Sequence, residues 1–263
     1  MVYRKSVSQN CYHIHLIKRE GVILTSKITK RGYDPDDEKI FSHHGIEKLK
    51  EAQFDVQWLL DRGYKIKSII EFVGGHYQLT ARARNALQRS TAPQTDYEKR
   101  RSSILSSEYL KNGCIFIDGF NLIITLEVAL SGSAILLGRD NVLRDLAGLR
   151  GTYKIIDKTD IALDLIGKVF KKYSVPKAKF YLDSPVSNSG RLKAKILEYS
   201  EIWGIPTEIE LINNVDSVLS KMDRIVTGDS ILLDECKSWF NLSKIIVDDY
   251  INDAWIIDLS NSG

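Results

Sequence analysis

Four aspartates in the second half of the chain stand at or just after the ends of short apolar runs, which have the composition of buried strands. If those strands are parallel, their carboxyl ends meet at one edge of the sheet, where open α/β sheets bind ligands. Carboxylates crowded there repel one another unless a proton or a cation lies between them, and such oxygen ligands favour Mg²⁺ or Mn²⁺. The four residues are Asp118, Asp183, Asp216 and Asp229.

Asp118 is the first candidate for chemistry, because the apolar run 114–117 leads directly into Asp118-Gly119 and Asn121 opens a segment with helical spacing. Two metal ions about 4 Å apart on such carboxylates can activate a water and steady the leaving oxygen of a phosphodiester. We therefore expect metal-dependent hydrolysis of a nucleic acid. A turn or a helix cap is the alternative for any one of these aspartates taken alone.

The surrounding patterns predict two parts and an extension. Strand and helix patterns alternate over 107–263, which is typical of an α/β fold with a parallel sheet flanked by helices. Residues 45–106 show the apolar spacing of helices and form a small, mainly helical domain, with a linker expected at 91–103 around Pro93. Residues 1–44 form an N-terminal extension with two short strands that suggest a hairpin.

Three boundaries within these parts follow from individual residues. Thr80 is expected to cap the third helix, and the second helix is expected to stop at Gly74-Gly75. A last strand, at either 245–247 or 255–257, is expected to close the sheet.

Charge is distributed unevenly along the 263 residues, whose net charge is +3. Residues 1–111 carry 20 Lys/Arg against 13 Asp/Glu, and the remainder carries 17 against 21. A basic helical domain suits a nucleic-acid backbone, so we expect residues 45–106 to bind RNA, such as tRNA or another structured RNA. No apolar run approaches the ~20 residues of a membrane span, and the first ten residues do not resemble a signal peptide. A cytoplasmic protein is expected, and a homodimer stays open.

Several basic and aromatic residues are candidates for RNA contact. A histidine and a tyrosine beside a glycine turn, followed by arginines, suit phosphates and an unstacked base. A glycine-containing basic loop beside the strand ends suits substrate phosphate. Solvated faces are the alternative in both places. The candidates are His76, Tyr77, Arg82, Arg84 and Arg89 in the helical part, and Arg144, Arg150 and Lys154 in the loop.

The order Asp118-Gly-Phe-Asn121, Leu-Asp183, Asn-Val-Asp216-Ser and Val-Thr-Gly-Asp229 resembles the PIN-like ribonucleases, in particular their NYN branch. The resemblance implies a PIN-like, Rossmann-like fold and an endoribonuclease that uses Mg²⁺ or Mn²⁺. It implies that Asp118, Asp216 and Asp229 are catalytic metal-site carboxylates. Gly228 stands where the branch usually has Ser. The further residues implied are Asp183 and Asp234 as metal ligands and Asn121, Thr227 and Ser230 as supporting residues.

The whole chain, including residues 59–64, 73–79 and 183–190, also resembles an uncharacterised prokaryotic two-part family of unknown function, which agrees with a division near residue 107. Two other functions stay open. One is a non-catalytic RNA-binding protein with a degenerate PIN-like domain, in which the carboxylates are caps. The other is a phosphatase of the haloacid-dehalogenase type, whose last motif is similar to residues 227–234. Phe120 stands where the first motif of those phosphatases requires a second aspartate.

Overall fold

The computed structural model describes residues 29–148 and 151–260. The hairpin expected in the N-terminal extension and Arg150 lie outside the described residues. None of the helices in the described part of the chain combines the length and apolarity needed to span a bilayer.

The N-terminal part is helical, as predicted. Thr80 caps its fourth helix, since its Oγ1 accepts a hydrogen bond from the Ala83 amide at 3.2 Å. Gly63, with φ of +79°, ends the second helix in the left-handed region that favours glycine. The helices are α1 (Asp37–Ile40), α2 (His43–Leu60), α3 (Ile66–His76), α4 (Ala81–Ser90) and α5 (Gln94–Ser103), followed by a 3₁₀ helix (Ser107–Asn112).

Two boundary predictions in this part were wrong. The α3 helix continues through Gly74-Gly75 instead of stopping there. A Cβ at position 74 would come within 2.9 Å of the Arg84 side chain, so glycine there allows α4 to approach closely. The linker expected at 91–103 contains α5, whose Tyr97 and Arg100 are buried.

The C-terminal part alternates strands and helices. Its elements are β1 (Ile115–Asp118), α6 (Gly119–Leu130), β2 (Ile135–Leu137), β3 (Leu143–Asp145), α7 (Asp157–Lys172), β4 (Ala178–Asp183), α8 (Ser189–Trp203), β5 (Thr207–Ile212), α9 (Asp216–Leu219), β6 (Ile225–Val226), α10 (Ser230–Glu235), β7 (Trp239–Phe240), α11 (Leu242–Tyr250) and β8 (Ile256–Asp258).

The main sheet has five strands in the order β5-β4-β1-β6-β7, and every neighbouring pair is parallel. The α/β prediction with a parallel sheet is confirmed. From β1 the chain builds outward through β4 to β5, and then returns to the other side of β1 for β6 and β7. The carboxyl ends of β1 and β6 therefore lie at the point where the strand order reverses, which is where open α/β sheets form a ligand crevice.

Alternating side chains place helices on both faces of this sheet. Ile115 and Ile117 pack into one buried cluster with residues of α6, α7, α8 and α11. Phe116, Tyr181 and Ile225 belong to a second cluster, which includes residues of α9 and α10.

A second, three-stranded sheet in the order β3-β2-β8 joins the two halves of the chain. Leu136 of β2 and Ile257 of β8 share a buried cluster with Leu49, Val56 and Leu87 of the N-terminal helices. The predicted strand at 245–247 was wrong, because those residues lie in α11. The alternative at 255–257 corresponds to β8, but that strand completes the small sheet and not the main one.

Candidate functional site

Asp118 ends β1 and caps α6 at the reversal point of the sheet. The residue is buried, and its Oδ1 accepts a hydrogen bond from the Asn121 amide at 3.3 Å. Its Oδ2 accepts one from the Thr227 hydroxyl at 2.9 Å. Because an aspartate at the N-cap accepts a hydrogen bond from a free amide of the first helical turn, the Asp-Gly sequence serves here as a cap. Both donors to Asp118 are neutral.

The turn of residues 227–229, after β6, interlocks with the cap at Asp118. Asn121 Oδ1 accepts a hydrogen bond from the Gly228 amide at 2.6 Å, and the Thr227 hydroxyl accepts one from the Asp229 amide at 3.1 Å. The hydroxyl proton of Thr227 is therefore directed at Asp118. Asp229 in turn caps α10, accepting from the Ile231 amide at 2.9 Å. This structure brings together Asp118, Asn121, Thr227 and Asp229.

Two carboxylates at this edge, those of Asp118 and Asp216, have raised pKa values. Burial raises the pKa of Asp118 to about 7, against the hydrogen bonds from Thr227 and Asn121, and the charges of Asp229 and Asp216 raise it further. The pKa of Asp216, which is solvent-accessible, is raised first by desolvation and then by the charges of Asp229, Asp183 and Glu235. Glu235 was not among the predicted residues, and nothing in its sequence position separated it from other acidic residues on helix surfaces.

Asp183, at the end of β4, is held by the neighbouring connection. Its Oδ1 accepts a hydrogen bond from the Val215 amide at 3.2 Å, directly before Asp216. Beside it, the Ser184 hydroxyl donates to Asn213 Oδ1 at 2.7 Å. These contacts fix the loop that carries Asp216 against the end of β4.

The donor set has the all-oxygen chemistry of a Mg²⁺ or Mn²⁺ site. The side chains are close enough to repel one another, yet within residues 29–148 and 151–260 no three His, Cys, Asp or Glu side chains are grouped tightly enough to hold a metal ion. A shared cation would therefore require the carboxylates to turn toward one another.

Asp234 has a different environment from the one expected of a metal ligand. Its two carboxylate oxygens accept hydrogen bonds from Arg100 at 2.6 and 2.8 Å. The adjacent guanidinium balances the charge of this carboxylate, so metal binding by Asp234 stays a prediction that this ion pair opposes. It also weakens the phosphatase alternative, which relies on that second aspartate. Ser230 begins α10, and its carbonyl lies 3.5 Å from Arg100 Nη2.

Two of the arginines expected to contact RNA have internal partners instead. Arg144 lies in β3, where its side chain is 3% exposed and donates to the Gly228 carbonyl at 3.0 Å. Arg82 pairs with Asp37 at 2.7 Å and donates to the carbonyl of Gly32 at 2.8 Å. The free loop expected at Arg144 is wrong, because the residue lies in a strand. Phosphate contact by either guanidinium stays a prediction, and it would require these internal partners to be given up.

Of the remaining candidates for RNA contact, three have partners within the protein and two are exposed. Arg84 donates to the Leu79 carbonyl at 3.0 Å, and Arg89 lies 3.8 Å from Asp145. The Tyr77 hydroxyl donates to Asp55 at 2.9 Å. His76 and Lys154 are exposed.

Lys154 follows Tyr153, whose carbonyl accepts hydrogen bonds from Ser187 and Asn188 in the loop after β4. These contacts place the backbone before Lys154 next to the carboxyl edge of the sheet.

Two known families match separate stretches of the chain. Residues 48–102 match a family described as a protein of unknown function, DUF434, and residues 107–245 match a domain of unknown function, DUF5616. An uncharacterised protein of Methanocaldococcus jannaschii, MJ0935, is 35% identical over 188 residues, which are 72% of this chain and 88% of that protein. No solved structure matches the chain. The chain belongs to the DUF5616 family, and its N-terminal helices carry the DUF434 match.

Proposed function

We propose that this protein is a metal-dependent ribonuclease whose centre lies at the carboxyl ends of β1 and β6. One observation carries the proposal. Asp118 is buried at the reversal point of the sheet, next to the charges of Asp216 and Asp229, and both hydrogen bonds to its carboxylate come from neutral donors. A buried carboxylate in this setting is stabilised by a proton or by a cation. The resemblance to PIN-like nucleases of the NYN branch points to the same three aspartates.

Asp118, Asp216 and Asp229 would hold Mg²⁺ or Mn²⁺, which supplies an activated water and stabilises negative charge during phosphodiester hydrolysis. The other residues orient these ligands. Thr227 fixes one oxygen of Asp118 by donating a hydrogen bond to it. Asn121 accepts a hydrogen bond from the Gly228 amide, and this contact fixes the orientation of the next residue, Asp229. Asp118, whose pKa is about 7, would release its proton on binding a cation.

Lys154 is the exposed cation that we propose contacts substrate phosphate. Its segment is tied by the Tyr153 carbonyl to the loop after β4, at the same edge as Asp183. A positive charge at this edge attracts the polyanionic backbone toward the carboxylates, whose own charges repel it in the absence of metal.

The test is a cleavage assay on labelled single-stranded and structured RNA with Mn²⁺, Mg²⁺ or EDTA. We expect cleavage in the wild type with either ion, no cleavage with EDTA, and background cleavage only in Asp118→Asn. Asn caps a helix as well as Asp does, so the fold should survive that change. Asp164→Asn is the matched control, because Asp164 is an exposed aspartate of α7 paired with Lys168.

Equal cleavage by wild type and Asp118→Asn would remove the site assignment. RNA that is bound but never cut, with or without metal, would favour the non-catalytic RNA-binding alternative.

A further inference from the structure

A chain of buried charges runs from the N-terminal helices to the turn that carries Asp229. It begins at Arg100 on α5, whose side chain is 3% exposed, and passes through Asp140, in the connection between β2 and β3, to Arg144 on β3. It ends at the carbonyl of Gly228. The N-terminal member lies in the segment that matches DUF434, whereas the other three lie in the segment that matches DUF5616.

The geometry of this chain is specific at each link. Arg100 Nη1 lies 2.6 Å from Asp140 Oδ2. Arg144 donates to both oxygens of Asp140, at 2.9 and 2.6 Å, and its Nε donates to the Gly228 carbonyl at 3.0 Å. The remaining nitrogens of Arg100 hold Asp234 of α10. Arg100 therefore contacts both the connection between β2 and β3 and the helix that follows the 227–229 turn.

Gly228 is clamped between this chain and the cap at Asp118. Its amide donates to Asn121, and its carbonyl accepts from Arg144. A Cβ at position 228 would lie 3.0 Å from the Leu143 carbonyl and 3.3 Å from Asn121 Oδ1. The backbone at this turn has little room to move, so its position depends on what holds it from each side.

Stability alone is a poor explanation for such a chain. Apolar residues of similar volume often stabilise a fold as well as a buried ion pair does, whereas guanidinium and carboxylate partners fix direction and distance. A device that fixes direction is of use where a turn must present a side chain accurately, as the 227–229 turn presents Asp229.

We propose that Arg100 is a positioning residue for the strand-end carboxylates, acting through Asp140, Arg144 and Asp234 on the 227–229 turn. The helices that match DUF434 are then part of the scaffold of the site and not a separate module attached to it. The effect on catalysis rests on the proposed ribonuclease function, whereas the effect on the position of the turn does not.

The test compares Arg100→Met and Arg100→Lys with Arg224→Met in the full-length protein. Arg224 is a matched control because it precedes β6 at the opposite edge of the sheet, where it donates to the carbonyls of Cys114 and Gly113. Partners that orient metal ligands typically change affinity or activity by about 10- to 100-fold. We expect Arg100→Met to lower the cleavage rate and raise the half-saturating Mn²⁺ concentration by such factors. Arg100→Lys should recover part of both, and Arg224→Met should change neither.

A second readout is independent of cleavage. The NMR amide resonance of Gly228 should shift in Arg100→Met but not in Arg224→Met, while that of Gly167 on α7 serves as an internal reference. If wild type cuts no RNA, the ribonuclease proposal fails and this shift still decides the positioning role. If Arg100→Met does not fold, Arg100→Lys, which keeps the charge but loses the fork, takes its place. Unchanged Gly228 resonances together with unchanged cleavage and Mn²⁺ dependence in a folded Arg100 variant would overturn the proposal.

Discussion

Asp118 and Asp140 are two buried aspartates on opposite sides of Gly228, and their surroundings give them opposite acidities. Burial alone would raise the pKa of Asp140, but the charges of Arg144 and Arg100 outweigh it and lower that pKa to about 2. Asp118 accepts its hydrogen bonds from a hydroxyl and a backbone amide, and burial raises its pKa to about 7. The counter-ion accounts for the difference, since both side chains are removed from water.

The presence or absence of a counter-ion distinguishes a structural carboxylate from a candidate metal ligand better than burial does. An aspartate between two guanidiniums is already neutralised and has no need of a further cation. A buried aspartate surrounded by neutral donors and other carboxylates gains free energy from any cation that reaches it. Five aspartates were predicted to form the metal site. By the same criterion, Asp234 belongs with Asp140 and not with Asp118.

The largest effect is expected from removing the charge of Asp140. Asp140→Asn leaves Arg100 and Arg144 without their shared carboxylate, and breaking a buried pair of this kind costs on the order of 3–5 kcal/mol. Urea denaturation at pH 7, with Asp164→Asn as the surface control, measures the free energy of unfolding. A loss below about 1 kcal/mol, the range of exposed pairs, would show that Asp140 is not the anchor of the chain.

At neutral pH, Asp118→Asn should increase the free energy of unfolding, whereas Asp140→Asn should decrease it. Unfolded Asp118 loses its proton near pH 4, whereas folded Asp118 keeps it until about pH 7. The folded chain therefore binds the extra proton between these values, and wild-type stability falls as pH rises across the window. Above pH 7 without metal, Asp118→Asn should be more stable than wild type by up to about 4 kcal/mol, at 1.36 kcal/mol per pKa unit over about three units.

The measurement is the difference in free energy of unfolding between wild type and each Asn variant, from pH 4 to pH 8 for Asp118→Asn and from pH 4 down to pH 2 for Asp140→Asn. For Asp140 the slope of the corresponding difference is reversed. Its folded pKa is depressed to about 2, so its contribution is present above pH 4 and is lost as pH falls toward 2. If the difference in unfolding free energy changed with pH in the same direction for both aspartates, their surroundings would not give them opposite acidities.

Divalent metal should act on one of these aspartates and not on the other. At a metal concentration 100-fold above its dissociation constant, binding to the folded state adds about 2.7 kcal/mol. We expect Mn²⁺ to raise the free energy of unfolding of wild type with the logarithm of its concentration above the dissociation constant, and Asp118→Asn to lose that dependence. An equal rise in both proteins would place the cation elsewhere, and sodium chloride at matched ionic strength controls for screening.

The smallest effect is expected from Gly228→Ala. The added methyl meets the Leu143 carbonyl at 3.0 Å, and a shift of a few tenths of an ångström should cost about 1 kcal/mol. Because the residue lies between the two aspartates, the same change should alter the pH dependence attributed to Asp118. A loss of stability without that change would indicate that the turn does not couple them.

The sequence predicted those elements whose signals are local. The apolar run before Asp118, the helical spacing of α2 and the Thr80 cap each depend on neighbouring residues and were recovered. The meeting of Asp118 with the 227–229 turn followed from one further rule, that parallel strands share a carboxyl edge.

Other elements depend on distant partners. The α5 helix is polar and buries Arg100. The carboxylates that pair with Arg100 lie far along the chain, Asp140 at a separation of 40 residues and Asp234 at 134. The strands β6 and β7 have two residues each and depend on the strand beside them, since β6 pairs with β1 and β7 pairs with β6. The sequence around Arg144 is typical of a basic loop, and only the contact with the distant fold shows that Arg144 is buried beside Asp140.

The small sheet has a consequence for the order in which the protein can fold during synthesis. Ile257 and Leu259 complete the buried cluster of α2 and α4, although the ribosome adds them about 170 residues after the last residue of α4, a separation that spans the whole main sheet. Until Ile257 and Leu259 have been synthesised, the apolar side chains of α2 and α4 in this cluster lack part of their packing. Domains usually fold in the order of their synthesis, whereas here the first part to be made is among the last to be finished.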